Sequence, residues 1–402
     1  MRTVFTTLVV AIAVIGSIGA GSASPQALED NEPIAPLARG NSARTAEMPG
    51  PGPTQTPAEQ WHFAPQAEGS PLLALVLADG FLYTIDARSV NNALYAVDRI
   101  TGDERWRYPS APSEVIVGTP AVADGIVLVP VRNLEDKTYL ASLEAETGEE
   151  RWRVPLAPEL VGASSPAIVD GIAYVGTSDR HVTALAVADG GVRWRVSVGA
   201  RVEADLAVAG GVVYVATDEP SVVALNATDG SERWRVGFED DEILLTPVVA
   251  DELVFVIAYP HPTVIPEGRL HALEVGSGAE RWRSNGDYGL SFEPAVTAGV
   301  VYVTAEIPQT RERALVALDA EAGRERWRLA EGLFLISPPS VAEETVYVGS
   351  ANGLLAVDAG TGKLGWEVPV IAVTSVPVVV DGAVYVAGPD GLVAVADATA
   401  GP

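Results

Sequence analysis

The chain has 402 residues, of which 48% are hydrophobic and 20% are charged, a composition that supports a large core and excludes a disordered or fibrous protein. It carries 26 basic and 53 acidic residues, for a formal net charge of -27. This balance excludes DNA and RNA as expected partners, because phosphate binding needs clustered Lys and Arg. The absence of cysteine excludes disulfides, thiolate metal sites and a thiol nucleophile.

The N-terminus has the pattern of a secretory signal peptide. Met1 and Arg2 precede an apolar run over residues 4–20, and small residues lead to a cleavage site near Ala23. We therefore assign residues 1–24 to a signal peptide and expect export to the cell envelope, the periplasm or the extracellular space. The alternative is an uncleaved membrane anchor carrying a ligand-sensing ectodomain.

Residues 25–58 are rich in Pro, Ala, Gly and Ser, with seven prolines between positions 25 and 57. Such a composition buries too little surface to fold and predicts a disordered linker. The folded part is then expected to span residues 59–402.

Tryptophan recurs at intervals of about 43 residues, which is typical of a repeat protein. Seven of the eight tryptophans follow a glycine by four residues, and a short apolar strand precedes each of these glycines. We expect these indoles to act as structural wedges between repeats. The tryptophans are Trp61, Trp106, Trp152, Trp194, Trp234, Trp282, Trp327 and Trp366.

Each repeat also contains two β-rich segments joined by an Asp-Gly type turn, a strong hairpin signal. Four antiparallel strands per repeat, without helical periodicity, predict an all-β, eight-bladed β-propeller. The eighth repeat lacks its Trp strand, whereas Trp61 lacks a preceding hairpin. We therefore predict that the strand containing Trp61 completes the last blade and closes the ring.

The repeat motif resembles that of a known family. Ala96, Asp98, Thr101, Gly102 and Trp106 match the A-x-D-x-x-T-G-x-x-x-W docking motif of pyrroloquinoline quinone (PQQ) type propellers, and a second full match begins at Ala356. The resemblance implies a PQQ-like propeller over residues 59–400.

That superfamily includes quinoprotein dehydrogenases, with PQQ and calcium in the central funnel, and non-catalytic propellers such as BamB-like outer-membrane assembly factors. Even blades and the absence of cysteine resemble the non-catalytic branch, although the lipid-bearing cysteine of BamB is missing. We expect a monomeric, non-enzymatic scaffold without a cofactor that binds a neutral or basic protein or peptide. The alternative is a PQQ-dependent dehydrogenase.

Two carboxylates stand out among the residues expected to line the central channel. Asp205 and Glu293 occupy equivalent positions two blades apart, just before the innermost strand. Oxygen ligands suit calcium, so these residues are a candidate weak cation or polar-ligand site. The alternative is that they are solvated channel residues without a ligand.

Long links between second and third strands suggest a binding surface. Residues 84–92, 131–137, 259–268 and 306–313 lengthen these links, which are expected on the face that carries the connections between blades. Function often resides in loops held by a rigid scaffold. The candidate binding residues are Tyr259, Pro260, His261, Pro262, Asp240 and Asp241. A surface insertion without function is the alternative.

Overall fold

The computed structural model describes residues 39–65, 71–86, 92–112, 114–133, 137–157, 162–239, 242–260, 268–284, 288–290, 292–307, 310–330 and 332–397. All secondary-structure elements in these ranges are β-strands. Within the same ranges, no helix is long and apolar enough to cross a membrane. The predicted signal peptide and residues 25–38 lie outside the described part of the chain.

The first half of the chain forms the strands β1 (Ala58–Phe63), β2 (Leu72–Ala78), β3 (Phe81–Asp86), β4 (Ala93–Asp98), β5 (Glu104–Pro109), β6 (Glu114–Ile116), β7 (Ala121–Ala123), β8 (Ile126–Asn133), β9 (Thr138–Glu144), β10 (Glu150–Pro155), β11 (Ala167–Val169), β12 (Ile172–Thr177), β13 (His181–Ala186), β14 (Val192–Ser197), β15 (Ala207–Ala209), β16 (Val212–Thr217), β17 (Ser221–Asn226) and β18 (Glu232–Gly237).

The second half forms β19 (Glu242–Leu244), β20 (Val248–Ala250), β21 (Leu253–Pro260), β22 (Arg269–Glu274), β23 (Glu280–Arg283), β24 (Gly289–Leu290), β25 (Ala295–Thr297), β26 (Val300–Glu306), β27 (Arg313–Asp319), β28 (Glu325–Leu329), β29 (Ser340–Ala342), β30 (Thr345–Ser350), β31 (Gly353–Asp358), β32 (Leu364–Val368), β33 (Val378–Val380), β34 (Ala383–Gly388) and β35 (Gly391–Ala396).

These strands form eight antiparallel sheets, which confirms the predicted eight-bladed propeller. Blades 1 to 8 begin at β2, β6, β11, β15, β19, β24, β29 and β33. Blades 2, 5 and 6 gain a fifth short strand, because β6, β19 and β24 pair with the far ends of the second strands β8, β21 and β26. We call these three short strands the extension strands.

The N-terminal strand closes the ring as predicted. β1 pairs antiparallel with β35, and Trp61 lies opposite Ala394. The eighth blade therefore combines both ends of the folded part, with β1 as its outer strand. A ring nitrogen of His62 in β1 lies 3.0 Å from the backbone carbonyl oxygen of Asp390, although 328 positions separate the two residues. Closure of this kind removes an unpaired edge that would otherwise invite aggregation.

The tryptophans join neighbouring blades. The Trp106 ring packs on Gly148 of the next blade, so closely that an added Cβ at Gly148 would lie 2.6 Å from Cε3. Its Nε1 donates a hydrogen bond to the Ala145 carbonyl at 2.8 Å. The same contact with a glycine of the following blade recurs for seven tryptophans, namely Trp61, Trp106, Trp152, Trp194, Trp234, Trp282 and Trp327.

Turn chemistry fixes the ends of the strands. Asp124 and Gly125 both have positive φ, as a two-residue type I′ hairpin turn requires. In the turn before Trp106, the Asp98 carboxylate accepts hydrogen bonds from the backbone N–H groups of Ile100 and Thr101. These two kinds of turn share one face of the ring, which we call the turn face. The opposite face, with the links between second and third strands and between blades, is the loop face.

The predicted disordered linker is wrong for residues 39–57, which pack against the propeller. Arg39 and Ala46 are fully buried, and Arg44 is 2% exposed. The chain then runs along blade 8, where the Thr54 hydroxyl donates to the Asp397 carboxylate at 2.7 Å. We call residues 39–50 the channel segment, because they lie against the innermost strands.

Candidate functional site

The channel segment docks on the innermost strands by backbone hydrogen bonds. Its backbone carbonyls accept hydrogen bonds from the N–H group of the middle residue of the innermost strand in each of blades 4, 5, 6 and 7. These innermost strands are β15, β20, β25 and β29. The pairs are Val208 to Ser42 (2.7 Å), Val249 to Ala43 (2.7 Å), Val296 to Thr45 (2.7 Å) and Val341 to Ala46 (2.8 Å). In blade 8, the Gly50 N–H donates to the Val379 carbonyl at 3.2 Å. The segment thus crosses five consecutive blades.

Arg44 anchors the first half of the channel segment. Its Nη1 lies 3.0 Å from Oδ2 of Asp205, and both side chains are buried. The Arg44 Nε also donates to the Leu206 carbonyl. A buried ion pair is stabilising only where further hydrogen bonds satisfy both groups, and these contacts meet that condition.

Asp205 also links neighbouring blades. Its Oδ1 accepts from the Ser165 backbone N–H at 2.7 Å, and the Ser165 hydroxyl accepts from the Thr119 N–H at 2.8 Å. These three residues occupy the equivalent position before the innermost strands of blades 2, 3 and 4. A chain of hydrogen bonds therefore orients Asp205 toward Arg44.

Arg39 makes a looser contact with Glu293. Its Nη1 lies 3.6 Å from Glu293 Oε2, while its Nη2 donates to the carbonyls of Glu293, at 3.1 Å, and Pro294. Among the described residues, no atom accepts a hydrogen bond from Nε or Nη1 of Arg39. This pair is therefore less complete than the pair of Arg44 and Asp205.

Burial makes the charged form less favourable for both members of this second pair. Desolvation raises the pKa of Glu293 to about 7, although the Arg39 guanidinium opposes the shift. Desolvation also lowers the pKa of Arg39 to about 10, so Arg39 stays charged at neutral pH. The negative charge of Asp205 adds to the upward shift in the pKa of Glu293.

The two residues predicted to bind a cation therefore face arginines of the same chain. The described residues contain no group of three or more His, Cys, Asp or Glu side chains that could hold a metal ion. A metal site at Asp205 and Glu293 stays a prediction, and it would require displacement of Arg44 and Arg39. Two carboxylates in an apolar channel need compensating cations, so these two acids indicate cationic partners without identifying them.

On the loop face, the structure describes part of the predicted binding surface. Tyr259 and Pro260 end the long strand β21 and pair with Ile243 and Glu242 of the extension strand β19. Burial raises the pKa of the Tyr259 phenol, and the Glu293 carboxylate contributes to this rise. Tyr259 thus lies near the loop-face end of the channel. The candidates His261, Pro262, Asp240 and Asp241 lie outside the described residues.

Charged side chains hold the extension strand of blade 2. Glu114 in β6 pairs with Arg153 in β10, with Oε1 and Nη1 2.8 Å apart. Arg153 also pairs with Glu150 at 2.9 Å and donates to the Tyr108 hydroxyl at 2.7 Å. This network connects the extension strand β6 to the outer strands of blades 1 and 2. The extension strand is therefore held against both blades.

Sequence reasoning missed an exposed aromatic residue on the loop face. Phe334 lies between β28 and β29 and is 66% exposed. Its carbonyl accepts from the Ala351 N–H at 3.0 Å, which fixes its position beside the link between β30 and β31. The sequence indicates this residue only as a single Phe in the connection between two blades, outside the repeat pattern.

The described geometry defines an eight-bladed PQQ-type propeller whose channel contains a segment of its own chain. The family model described as outer membrane protein assembly factor BamB matches residues 54–206, 178–265 and 266–402. The chain belongs to this family.

Solved structures share the fold at low sequence identity. BamB from Moraxella catarrhalis matches with a TM-score of 0.62 and 19% identity, covering 85% of this chain and 100% of that one. Quinohemoprotein alcohol dehydrogenase from Comamonas testosteroni matches with a TM-score of 0.71 and 16% identity, covering 90% and 80%. A europium-containing methanol dehydrogenase has a TM-score of 0.68 and 15% identity, covering 90% and 91%. No curated protein matches the sequence.

Proposed function

We propose that the protein is an exported, non-enzymatic scaffold that binds a protein or peptide partner through the loop face of blades 5 to 7. The exposed Phe334 side chain carries this proposal. Exposed aromatic residues on rigid scaffolds often anchor interfaces, because they bury a large area at little conformational cost. Phe334 lies in the connection from blade 6 to blade 7, and the extension strands β19 and β24 belong to the two preceding blades.

The family and the charge support a protein partner. The description of the matching family names an assembly factor, which suggests a role in contact with other proteins. The formal net charge of -27 favours a neutral or basic partner surface, since charge complementarity speeds encounter and rejects acidic partners. Export rests on the N-terminal sequence pattern and remains part of the proposal.

Arg39 and Arg44 support a non-enzymatic role over the PQQ-dependent alternative. The resemblance places a quinone and calcium in the central funnel, where oxygen ligands and open space would be needed. Here the buried carboxylates of Asp205 and Glu293 are paired with guanidinium groups of the same chain. The described channel residues therefore do not fit a bound quinone with calcium, and we assign no reaction to this site.

The proposed interface is tested by affinity capture from the envelope fraction of the source cell with three proteins. These are the wild type, Phe334→Glu and Ile100→Glu, the last of which changes a residue that is 70% exposed on the turn face. We expect a partner that is captured by the wild type and Ile100→Glu but lost with Phe334→Glu. Equal capture by all three proteins would contradict the proposed interface.

Enzymatic activity is tested separately. The purified protein is incubated with PQQ and calcium and then assayed for dye-linked oxidation of alcohols and sugars. We expect no turnover above the rate of the buffer with PQQ. Turnover that depends on the protein would overturn the non-enzymatic proposal.

A further inference from the structure

The channel segment has the geometry of a bound peptide. Its backbone turns over residues 39–43 and then crosses the innermost strands of blades 4 to 8, and it makes at least one backbone hydrogen bond with each blade. The side chains of Ala43 and Ala46 are small and buried, so they fit against the strands. Recognition therefore depends on the backbone and on a few larger side chains.

Two arginines supply the selective contacts. Arg44 binds Asp205, and Arg39, five positions earlier, binds Glu293 two blades further along the ring. Both guanidinium groups also donate to backbone carbonyls, those of Leu206 and Pro294. Since both acids are buried, a peptide without a matching cation would leave the Asp205 carboxylate uncompensated and Glu293 without its polar partner.

The resident segment is an incomplete ligand at one of these positions. Arg39 is fully buried, yet its Nε has no hydrogen-bond acceptor among the described residues. A buried donor without an acceptor is destabilising, because its hydrogen bonds to water are lost and not replaced. Another peptide that places its cation better against Glu293 would therefore compete favourably with residues 39–50.

Open space beside the segment gives an incoming chain access to the same strands. A surface cavity of about 980 Å³ on the turn face is lined by Ser42, Ala43, Tyr174, Trp194 and Asp251, among others. This cavity lies at blades 3 to 5 and meets the channel segment at Ser42 and Ala43, which directly precede Arg44 in the chain. Displacement of the segment can begin there.

We propose that the channel is a binding site for a segment of a partner protein that carries two arginines five positions apart, and that residues 39–50 occupy this site until that partner displaces them. Exchange of the segment between two copies of this chain would replace each contact with an identical one and gain none. The proposed site is separate from the loop-face interface around Phe334, so either proposal can fail alone.

The test uses a labelled synthetic peptide with the sequence of residues 39–50 as the probe. Its affinity is measured by fluorescence polarisation for the full-length wild type and for full-length Arg39→Ala/Arg44→Ala, in which the resident segment has lost both anchors. A tethered competitor acts at an effective concentration on the order of 1 mM, so we expect at least about 10-fold tighter binding to the double variant. Adding Asp205→Asn to that variant should weaken binding about 10-fold or more.

Absence of binding to the folded double variant, or binding that Asp205→Asn leaves unchanged, would overturn the proposal. Thermal unfolding followed by tryptophan fluorescence shows whether the double variant is folded. If it is not, the single variant Arg39→Ala replaces it, and it too must bind the probe more tightly than the wild type. A dimer of the wild type in light scattering, abolished by Arg44→Ala, would indicate exchange between copies and would also overturn the proposal.

Discussion

The guanidinium of Arg44 and the carboxylate of Asp205 lie 3.0 Å apart in the channel, although 161 positions separate the two residues in the sequence. Through this contact, a segment that precedes the first blade reaches the middle of the ring. The same segment continues to β1, which closes blade 8. The N-terminal part of the chain thus contributes both to the closure of the ring and to the contents of its channel.

Removal of Arg44 should be costly. Arg44→Ala leaves the Asp205 carboxylate buried without its cation, and breaking a buried pair in this way costs about 3–5 kcal/mol. The free energy of unfolding in urea measures the loss. The matched control is Arg201→Ala, because the Arg201 side chain is 58% exposed and its pairs lie on the surface. There we expect a loss below about 1 kcal/mol, and equal losses in the two variants would contradict the buried pair.

Glu293 should make stability depend on pH in an unusual direction. Burial raises its pKa from 4.5 to about 7, so between these values the folded state binds more protons than the unfolded state. The contribution of Glu293 to stability is therefore present at low pH and lost as the pH rises through about 7.

The comparison with Glu293→Gln isolates this effect from that of other carboxyl groups, such as Glu150 and Glu325, whose pKa values are lowered. Between pH 5 and pH 8, the free energy of unfolding of the wild type should fall by about 2–3 kcal/mol relative to Glu293→Gln. Urea titrations at both pH values measure the difference. A relative rise would show that Glu293 is stabilised as the carboxylate.

The contact between Trp106 and Gly148 should tolerate no side chain. Gly148 has a φ of +72°, and a Cβ there would lie 2.6 Å from the indole, so Gly148→Ala combines backbone strain with a clash. Gly125 has a φ of +69° and no atom within 4 Å of an added Cβ, so Gly125→Ala isolates the strain.

We expect a loss of about 1 kcal/mol for Gly125→Ala and about 3 kcal/mol or more for Gly148→Ala. Chemical unfolding of the two variants provides the measurement. If their stabilities are the same, the indole does not form the close contact between blades.

The blades could be predicted from the sequence because their determinants are local and repeated. Asp98, Gly102 and Trp106 lie within one turn and one strand, and the same spacing returns in later repeats. The closing strand could be predicted from Trp61 because its indole had no hairpin of its own. Repetition made each weak local signal reliable.

The occupant of the channel could not be predicted in the same way. Residues 39–50 contain Pro, Gly and polar residues without a strand pattern, and their conformation depends on contacts across the ring. Arg39, Arg44 and Ala46 have positive φ, a conformation that isolated residues of these types rarely adopt. Asp205 and Glu293 can be identified as channel residues from the sequence, but their partners, Arg44 and Arg39, lie 161 and 254 positions away.

Burial of residue 43 in the channel can be measured by thiol labelling. Because the chain has no cysteine, Ala43→Cys introduces a single thiol at a site that is 2% exposed, and Glu59→Cys introduces one at an exposed site. The rates of thiol labelling of the two folded variants are compared under native conditions. We expect labelling of Ala43→Cys to be slower by about 100-fold or more, because the thiol reacts only when the segment leaves the strands. Equal rates would show that residues 39–50 are solvated and that the channel is not filled by its own chain.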